Sequence, residues 1–250
     1  MSQHIEFLDV SVHYGSKKAL DEITLSAGKN TVLAIVGPAN SGKTTLLKTL
    51  NRTIDFITGA RVSGEVRING EEVRSMKNVY ALRRRIGMVF PLPVGLPLSV
   101  YDNVAYAPRR MGIHHKSELD AIVERCLRDS VLWDEVKDRL DLLGTRLSGG
   151  QQQRLTLARA LSLDPEILCL DEFSIAIDPV TTMKIEEVLT RLKEKMTIIL
   201  VTNLTQQARR MADKVAFIND SQLIEWGETE KMFTKPEKEI TGRYLNGEFG

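Results

Sequence analysis

The sequence predicts an α/β fold, in which a mostly parallel sheet is flanked by helices and carries an antiparallel β subdomain and an inserted α-helical subdomain. Three observations lead to this prediction. Short apolar runs alternate with helical patterns along much of the 250 residues. Alternating runs joined by turn residues precede the first parallel strand. An all-helical stretch interrupts the alternation at about residues 91–160, within what we expect to be one domain spanning residues 1–250.

The N-terminal part of the chain has the patterns of antiparallel strands. Residues 5–12 and 19–27 alternate apolar and polar side chains, and residues 64–70 end in an Asn-Gly pair that favours a tight hairpin. Three consecutive arginines, residues 83–85, precede another apolar strand at residues 86–90. We interpret these arginines as a solvated helix end, in preference to a contact with phosphate or lipid.

A glycine-rich loop connects the apolar run at residues 31–36 to a helical pattern at residues 45–50. The loop reads GPANSGKT over residues 37–44 and matches G-x-x-x-x-G-K-[ST]. Its backbone N–H groups and the helix N-terminus would form an anion site, Lys43 would reach the β- and γ-phosphates, and the Thr44 hydroxyl would ligate Mg²⁺. The alternative is a chance glycine-rich turn, but the strand before the loop and the helix after it favour phosphate binding. The predicted core is therefore of the P-loop NTPase type.

A proline-rich stretch at residues 91–97 begins the helical insertion. Ser99 or Asp102 is expected to cap a helix over residues 100–109, and Ser117 a second helix over residues 118–131, after which the helical pattern continues over residues 133–143. The sequence LSGGQ, at residues 147–151, opens a further helix. A serine and two glycines at a helix N-terminus predict a second anion-binding site; the alternative is an ordinary glycine-rich loop with a serine cap.

Two carboxylates end the apolar run at residues 167–170, which has the pattern of a central parallel strand buried on both faces. Asp171 and Glu172 lie at the strand end where open α/β sheets bind ligands, so that Asp171 can hold Mg²⁺ and Glu172 can polarise water. Acidic residues are also common in ordinary loops after strands, and the phosphate-binding loop upstream favours the functional interpretation. Further helix, strand and hairpin patterns complete the α/β alternation before a partly helical tail.

The composition is that of a soluble globular protein, with 42% hydrophobic and 27% charged residues. The net charge of +1 gives no support for a nucleic-acid surface, and no apolar run reaches membrane-spanning length. We expect Cys126 and Cys169 to be buried thiols in a reducing compartment. Since the N-terminus has neither a basic region nor an apolar signal core, we expect a cytoplasmic protein that serves any membrane process through a partner.

The phosphate-binding loop, the LSGGQ segment and the acidic strand at residues 168–172 occur in the order and spacing of ABC-type ATPase domains. This resemblance extends from about residue 5 to residue 233. In detail the chain resembles the ATP-binding subunit of bacterial phosphate importers. The finer resemblance rests on residues 49–52, 82–90, 99–106, 132–140, 147–155 and 241–244, and on Phe249 and Gly250.

The resemblance implies roles for individual residues. Glu172 would be the general base that orients water, Asn203 would contact the γ-phosphate, and Thr44 and Asp171 would hold Mg²⁺. Two such domains would sandwich two ATP molecules head to tail, and the helical subdomain would pass the resulting motion to membrane subunits. Tyr14, which by itself is equally well a turn aromatic that covers the core, would stack on adenine. The nucleotide-binding residues would be Tyr14, Gly37, Pro38, Ala39, Asn40, Ser41, Gly42, Lys43, Thr44 and Thr45, together with Ser148, Gly149, Gly150 and Gln151 of the LSGGQ segment. Of these, Ser148, Gly149 and Gly150 would contact the γ-phosphate bound by the opposite protomer.

Some positions depart from the family pattern. Pro91 stands where the family has a glutamine that reaches Mg²⁺ and water, and proline has neither a polar side chain nor an N–H. Asn203 stands where the family has a switch histidine, and asparagine can donate a hydrogen bond but carries no charge. Phe173 replaces the proline that usually follows the catalytic glutamate, and residues 174–178 are also altered. Asn40 stands where a glycine is frequent, but asparagine tolerates left-handed backbone.

The sequence therefore predicts the ATP-binding subunit of an ABC importer, of the phosphate type, at the cytoplasmic face of a membrane. The expected cofactors are ATP and Mg²⁺. The expected partners are permease subunits, a solute-binding protein and a second ATPase subunit, identical or related, but no nucleic acid. One alternative is a weakly hydrolysing or regulatory subunit that pairs with a standard one, which Pro91 and Asn203 favour and Glu172 opposes. Another is a soluble ABC protein that acts on nucleic acid or ribosomes, which the near-neutral charge and the single ATPase unit disfavour.

Overall fold

A computed structural model describes residues 3–249 as a mixed α/β protein. Met1, Ser2 and Gly250 lie outside the described residues, so the expectations for the extreme N-terminus and for Gly250 are not addressed by it. The strands, in chain order, are β1 (Gln3–Tyr14), β2 (Lys17–Gly28), β3 (Val32–Val36), β4 (Ala60–Ile68), β5 (Glu71–Glu72), β6 (Ile86–Val89), β7 (Ile167–Asp171), β8 (Thr197–Thr202), β9 (Lys214–Asn219) and β10 (Gln222–Glu228).

The helices include one that begins inside the glycine-rich loop. In chain order they are α1 (Lys43–Leu50), α2 (Val79–Arg84), α3 (Val100–Arg110), α4 (Lys116–Asp129), α5 (Trp133–Val136), α6 (Gly149–Leu161), α7 (Pro179–Leu192), α8 (Thr205–Met211), α9 (Thr229–Thr234) and α10 (Glu239–Leu245). Within residues 3–249, every helix is too short or too polar to cross a bilayer.

The chain folds into two compact units. The first contains the described residues up to Ile86 and from Lys193 onward, and the second contains Gly87–Leu192. The predicted helical subdomain, at about residues 91–160, falls within the second unit and stays a prediction as a separate subdomain.

In the first unit the strands follow the order β5-β4-β1-β2-β10-β9-β3-β8. The pairs β1–β2, β1–β4 and β4–β5 are antiparallel, whereas β3 runs parallel to both β8 and β9. All residues of β3 and β8 are buried, as expected of central strands covered on both faces. The predicted hairpin is confirmed, because Asn69 and Gly70 both have positive φ (53° and 81°) between β4 and β5.

Because β3 and β8 are parallel neighbours, they end at the same edge of the sheet. Val36, the last residue of β3, lies opposite Thr202, the last residue of β8. The glycine-rich loop leaves β3 at this edge, and Asn203 leaves β8 beside it. The pairing of two strands that are far apart in sequence thus brings two candidate sites together.

The prediction that the three arginines, residues 83–85, form a solvated helix end is only partly correct. They do lie at the end of α2, but Arg83 is not simply solvated. Its guanidinium donates hydrogen bonds to the carbonyl oxygens of Asn51 (3.1 Å) and Arg52 (2.8 Å), where α1 has just ended. Arg83 therefore satisfies carbonyl groups left without intrahelical partners, a role that basic side chains often have near helix C-termini.

In the second unit, β7 neighbours β6 and the chain is otherwise mainly helical. Ser99 caps α3 as predicted, its Oγ accepting a hydrogen bond of 2.9 Å from the Asp102 N–H. The prediction that Ser117 caps α4 is wrong, because α4 begins at Lys116 and His115 occupies the N-cap position. Both cysteines are buried, as expected.

The helix predicted over residues 133–143 is much shorter than expected. Its helical part, α5, ends at Val136. Farther along, the carbonyl oxygens of Leu140 and Leu142 accept hydrogen bonds of 2.9 and 2.8 Å from the N–H groups of Tyr101 and Val100. These N–H groups belong to the first turn of α3 and have no partner inside that helix. The backbone of residues 140–142 is therefore used to complete α3.

Candidate functional site

The glycine-rich loop of residues 37–44 has a backbone that few other sequences could adopt. Gly37 and Gly42 have φ values of 154° and 109°, and Asn40 has a φ of 63°, the left-handed conformation that asparagine tolerates. A Cβ at Gly37 would overlap the Ile218 carbonyl oxygen, and one at Gly42 would overlap the Ala19 carbonyl oxygen. Both glycines are thus required by close backbone packing within the first unit.

Lys43 lies inside this loop. Its side chain is 5% exposed, and Nζ donates hydrogen bonds of 2.7 Å to the carbonyl oxygens of Gly37 and Pro38. Ser41 is equally buried, and its Oγ has no hydrogen-bond partner within residues 3–249. A buried ammonium beside an unsatisfied hydroxyl fits an anionic oxygen ligand, because such a ligand accepts hydrogen bonds from both. The loop therefore fits a phosphate group.

The start of α1 adds to this anion site. Gly42, which has no side chain, is at the N-cap position, so the first N–H groups of the helix are available to a ligand. Thr44 and Thr45 follow in the first turn, where both are half-buried. The Tyr14 hydroxyl donates a hydrogen bond of 3.2 Å to Thr45 Oγ1, which fixes the tyrosine ring beside the helix start. Its adenine-stacking role stays a prediction.

Asn203 follows β8 and is exposed. The turn after the strand is closed by Thr202, whose Oγ1 accepts a hydrogen bond of 3.0 Å from the Leu204 N–H. Asn203 lines a cavity of about 480 Å³ together with Pro38 and Ala39 of the glycine-rich loop. The structure thus brings the predicted switch residue and the predicted phosphate-binding residues into one part of the first unit.

The same cavity contains residues that sequence reasoning missed. Tyr244, Gly247 and Phe249 of the C-terminal segment line it as well. In the sequence this segment is polar and close to the chain end, so nothing indicated that it would line a cavity. The available signal was a pair of aromatic residues in an otherwise polar stretch.

The LSGGQ segment forms a capping box at the start of α6 in the second unit. The Ser148 Oγ accepts a hydrogen bond from the Gln151 N–H (3.4 Å), and the Gln151 side chain accepts one from the Ser148 N–H (3.0 Å). Ser148 therefore caps α6, as the interpretation of this segment as a glycine-rich loop with a serine cap predicted. Its hydroxyl proton is still available for a ligand, because the Oγ acts as an acceptor in this cap.

The two glycines of this segment differ in their surroundings. Gly149 is exposed, with open space where a Cβ would be. A Cβ at Gly150 would lie 2.9 Å from the Ala176 carbonyl oxygen. The segment that follows Glu172 therefore packs directly on the first turn of α6.

Asp171, the last residue of β7, and Glu172, which follows it, have different environments. Asp171 is 1% exposed, and Glu172 is half-buried with a φ of 46°. Glutamate rarely adopts left-handed backbone, and such strained residues cluster at functional sites. The buried carboxylate of Asp171 suits a ligand of a cation. The carboxylate of Glu172, on a strained backbone beside it, suits a reacting group that must be held in one position.

Pro91 lies in a segment held by α6. The side chain of Gln153 donates a hydrogen bond of 2.8 Å to the Phe90 carbonyl oxygen, and Arg159 donates one of 3.1 Å to the Val94 carbonyl oxygen. The Gly95 N–H donates to the Gln152 side chain at 3.4 Å. Sequence reasoning identified the missing glutamine at position 91 but not this set of contacts, which joins residues some 60 positions apart.

Comparisons with known proteins agree with this geometry. The family model described as ABC transporter matches residues 20–174, which is more than half of the chain. A structure of cbiO1 from Clostridium perfringens, described as part of the ABC transporter complex cbiONQ, is 25% identical with a TM-score of 0.80; the match covers 95% of this chain and 93% of that chain. The ATP-binding cassette MJ0796, in a dimeric post-hydrolysis state bound to ADP and Pi, is 26% identical with a TM-score of 0.77, over 90% and 98% of the two chains.

A third similar structure is longer than this chain. It is a bacterial Atm1-family ABC exporter with ATP bound, which is 22% identical with a TM-score of 0.83. The match covers 97% of this chain but 41% of the exporter chain. These likenesses confirm the predicted P-loop NTPase fold.

Proposed function

Because the chain belongs to the ABC transporter family, with an ATP-binding ATPase domain, we propose that it is the ATP-binding subunit of an importer that takes up inorganic phosphate. Its partners are then membrane-spanning permease subunits, which hold it at the cytoplasmic face of the membrane, and a solute-binding protein. The phosphate assignment rests on the subfamily resemblance of residues 82–90, 99–106 and 241–244. The exporter among the similar structures shows that the fold alone does not determine the direction of transport.

The observation that carries ATP binding is the arrangement of Lys43 and Ser41 inside the glycine-rich loop. Both residues are buried, with Lys43 5% and Ser41 4% exposed. The buried Ser41 Oγ has no hydrogen-bond partner within residues 3–249, which is unfavourable unless a ligand supplies one. Lys43, whose Nζ bonds the Gly37 and Pro38 carbonyl oxygens, brings positive charge to the same loop. The phosphates of ATP supply the required charge and acceptor oxygens.

The remaining roles are assigned to groups at the ends of strands and at the starts of helices. Thr44 and Asp171 hold Mg²⁺, which neutralises phosphate charge when it is bound. Glu172 orients the attacking water and accepts its proton. Asn203 donates a hydrogen bond from its side-chain amide to the γ-phosphate. Ser148, Gly149 and Gly150 contact the γ-phosphate of a nucleotide held by the second ATPase subunit, which is identical or related to this chain.

A second candidate function is a weakly hydrolysing or regulatory subunit that pairs with a standard one. Pro91 and Asn203 favour this candidate, because a proline side chain cannot bind water or Mg²⁺ and an amide cannot carry the charge of a histidine. The carboxylate of Glu172 favours the hydrolysing subunit. The soluble alternative that acts on nucleic acid has a single basis, the shared ATPase fold, and a net charge of +1 gives it no support.

Co-purification from membranes and a transport assay test this proposal. The tagged chain is isolated from detergent-solubilised membranes, and its membrane partners are identified. The complex is then reconstituted into vesicles, with ATP supplied on the side of the membrane where this subunit lies. We expect permease subunits to co-purify and uptake of radioactive phosphate to require ATP. Co-purification with ribosomes or nucleic acid, or transport of a different solute without phosphate uptake, would overturn the corresponding part of the proposal.

A further inference from the structure

The capping box at the start of α6 depends on the direction in which the Gln151 side-chain amide points. The amide oxygen accepts the hydrogen bond of 3.0 Å from the Ser148 N–H, and the NH2 group donates one of 2.8 Å to the Glu135 carboxylate on α5. If the amide were turned over, its NH2 group would face the Ser148 N–H, and two donors cannot bond each other. One orientation of Gln151 therefore forms the cap and the other breaks it.

Glu135 is the residue that favours this orientation of Gln151. An ionised carboxylate only accepts hydrogen bonds, so it binds the NH2 group of the amide and repels the amide oxygen. The hydrogen bonds that the carboxylate accepts from Arg154, and the further one from Gln151, hold the pKa of Glu135 below its usual range. At neutral pH Glu135 is therefore an acceptor, and it selects the orientation that also serves Ser148.

Arg154 of α6 holds Glu135 in place. Its guanidinium donates hydrogen bonds of 2.6 and 3.1 Å to the two oxygens of the Glu135 carboxylate, and Arg154 is 6% exposed. The same guanidinium donates to the carbonyl oxygens of Val131 (2.6 Å) and Gly150 (3.4 Å). Val131, just before α5, has a φ of 56°, which a β-branched residue rarely adopts. The chain that leads into α5 is thus held to α6, and the carboxylate reaches Gln151 from a fixed position.

The Ser148 hydroxyl depends on this cap for its position. Ser148 is exposed, and its Oγ accepts the hydrogen bond from the Gln151 N–H at 3.4 Å, which is long for a bond of this type. Water can compete for so long a bond, so the shorter bond from the Ser148 N–H to the Gln151 amide contributes most to the cap. Without it, the hydroxyl loses a fixed position from which to donate to a ligand.

We propose that Glu135 is a positioning residue for the LSGGQ segment, acting through the Gln151 amide to keep Ser148 in the form that meets the nucleotide of the second ATPase subunit. The inference rests on the proposed function, because it requires that contact of Ser148. Glu135 itself contacts neither nucleotide nor Mg²⁺. Arg154 neutralises its charge, which limits the repulsion between this carboxylate and a phosphate bound at the start of α6.

The Glu135→Gln variant of the full chain tests the effect on the cap. The new amide at position 135 has one acceptor oxygen, which the buried guanidinium of Arg154 takes, so that its NH2 group faces the NH2 group of Gln151. We expect the Gln151 amide to turn over and the Ser148 N–H to lose its hydrogen bond. NMR reports this loss as a steeper temperature dependence of the Ser148 N–H chemical shift. The N–H of Leu155, inside α6, should keep its wild-type behaviour, because a hydrogen bond of the helix interior does not depend on the cap.

A second measurement tests the effect on the reaction. In the transporter complex purified from membranes, Glu135→Gln should lower kcat for ATP hydrolysis by about fivefold or more, the factor that corresponds to the usual contribution of a helix cap. The ATP affinity of the isolated chain should not change, because the glycine-rich loop of the first unit binds the nucleotide there. The control is Asp134→Asn, which removes a neighbouring carboxylate of α5 whose side chain is 85% exposed and pairs with Lys137. It should change neither quantity.

A swap of the two side chains separates positioning from the loss of the ion pair with Arg154. In the double variant Glu135→Gln with Gln151→Glu, the new carboxylate at position 151 has acceptor oxygens on both sides and needs no orienting group. We expect the swap to restore the hydrogen bond of the Ser148 N–H, although the carboxylate that paired with Arg154 is still absent.

The outcomes separate this inference from the proposed function. An unchanged Ser148 N–H or an unchanged kcat in Glu135→Gln would overturn the positioning role while leaving the proposed function in place. A swap variant whose Ser148 N–H is as exposed to solvent as in the single variant would also overturn it, because the ion pair alone would then explain the effect. A wild-type complex that neither binds nor hydrolyses ATP would overturn the proposed function and this inference with it.

Discussion

The Gln153 side chain donates a hydrogen bond of 2.8 Å to the carbonyl oxygen of Phe90, the residue immediately before Pro91. Gln153 is 1% exposed and belongs to the helix that begins with the LSGGQ segment. The segment that lacks the family's glutamine is therefore held to that helix by its backbone. This contact, together with those of Gln152 and Arg159, provides a mechanical connection that does not require a polar side chain at position 91.

The contribution of this connection to stability can be measured. Gln153→Met keeps the length of the side chain but removes the hydrogen bond to Phe90. We expect the free energy of unfolding to fall by about 1 kcal/mol, the usual net value of one hydrogen bond. Urea denaturation provides the measurement, with Gln206→Met on an exposed position of α8 as the control. Equal effects of the two substitutions would show that the Phe90 contact contributes nothing specific.

The same helix is held by an ion pair with a definite pH dependence. Arg154, which is 7% exposed, donates hydrogen bonds of 2.6 and 3.1 Å to the Glu135 carboxylate, whose side chain is 43% exposed. These bonds, with a further one from Gln151, hold the pKa of Glu135 below its usual range. A lowered carboxylate pKa stabilises the folded state above the unfolded pKa, about 4.3, and this stabilisation is lost as the pH falls through the folded pKa.

Glu135→Gln should therefore lower the free energy of unfolding at pH 7 and have a smaller effect in acid. Because Glu135 is partly exposed, solvent screening limits the expected loss at pH 7 to about 1 kcal/mol or less. The control is Glu124→Gln, which removes the exposed i,i+4 partner of Arg128 and should have little effect at either pH. A Glu135→Gln effect that is the same at pH 7 and pH 3 would contradict the assigned pKa direction.

Hydrolysis is expected to be slow, because Pro91 and Asn203 replace the glutamine and the histidine that the family resemblance places near the reacting groups. Removing one preorganised transition-state donor costs about 10²–10³ in kcat. The Asn203 amide can recover part of this loss, whereas the Pro91 side chain can recover none. Since effects at a shared site need not add, we expect a combined deficit nearer to one such factor than to two.

Steady-state ATPase rates of four proteins test this expectation. They are the wild type, Pro91→Gln, Asn203→His and the double variant, with ATP affinity determined separately for each. We expect Asn203→His to raise kcat substantially only when Pro91→Gln is also present. A wild type that already turns over like a consensus importer ATPase, with no gain in the double variant, would mean that the surrounding backbone compensates for both replacements and would eliminate the impaired-subunit candidate.

The parts of the fold that the sequence predicted correctly are those determined locally. β3, the glycine-rich loop and α1 follow from an apolar run, two glycines at backbone positions with positive φ, and an amphipathic pattern. The capping box of Ser148 and Gln151 is equally local, because its two residues are three positions apart. Even the proximity of Asn203 to the loop follows once β3 and β8 are parallel neighbours.

The parts that were missed depend on contacts between distant residues. The helix pattern at residues 133–143 was overridden because Leu140 and Leu142 complete the hydrogen bonds of α3. The role of Tyr244 depends on its stacking with Phe217, some 27 positions earlier in the chain. Helical periodicity carries no information about such contacts, since it describes one face of one element and not its partner.

The binding of Mg·ATP to wild type and Lys43→Ala, measured by titration calorimetry, tests the central claim most directly. The ammonium of Lys43 lies between the loop carbonyl oxygens, from which it can interact with phosphate. Since a charge-assisted hydrogen bond contributes about 1.5–3 kcal/mol, we expect the affinity of Lys43→Ala to fall by about tenfold or more. Lys48→Ala, in the same helix but outside the loop, is the control and should bind as the wild type does. Equal affinities of wild type and Lys43→Ala, or no ATP binding by the wild type, would contradict the assignment of this loop as the nucleotide site.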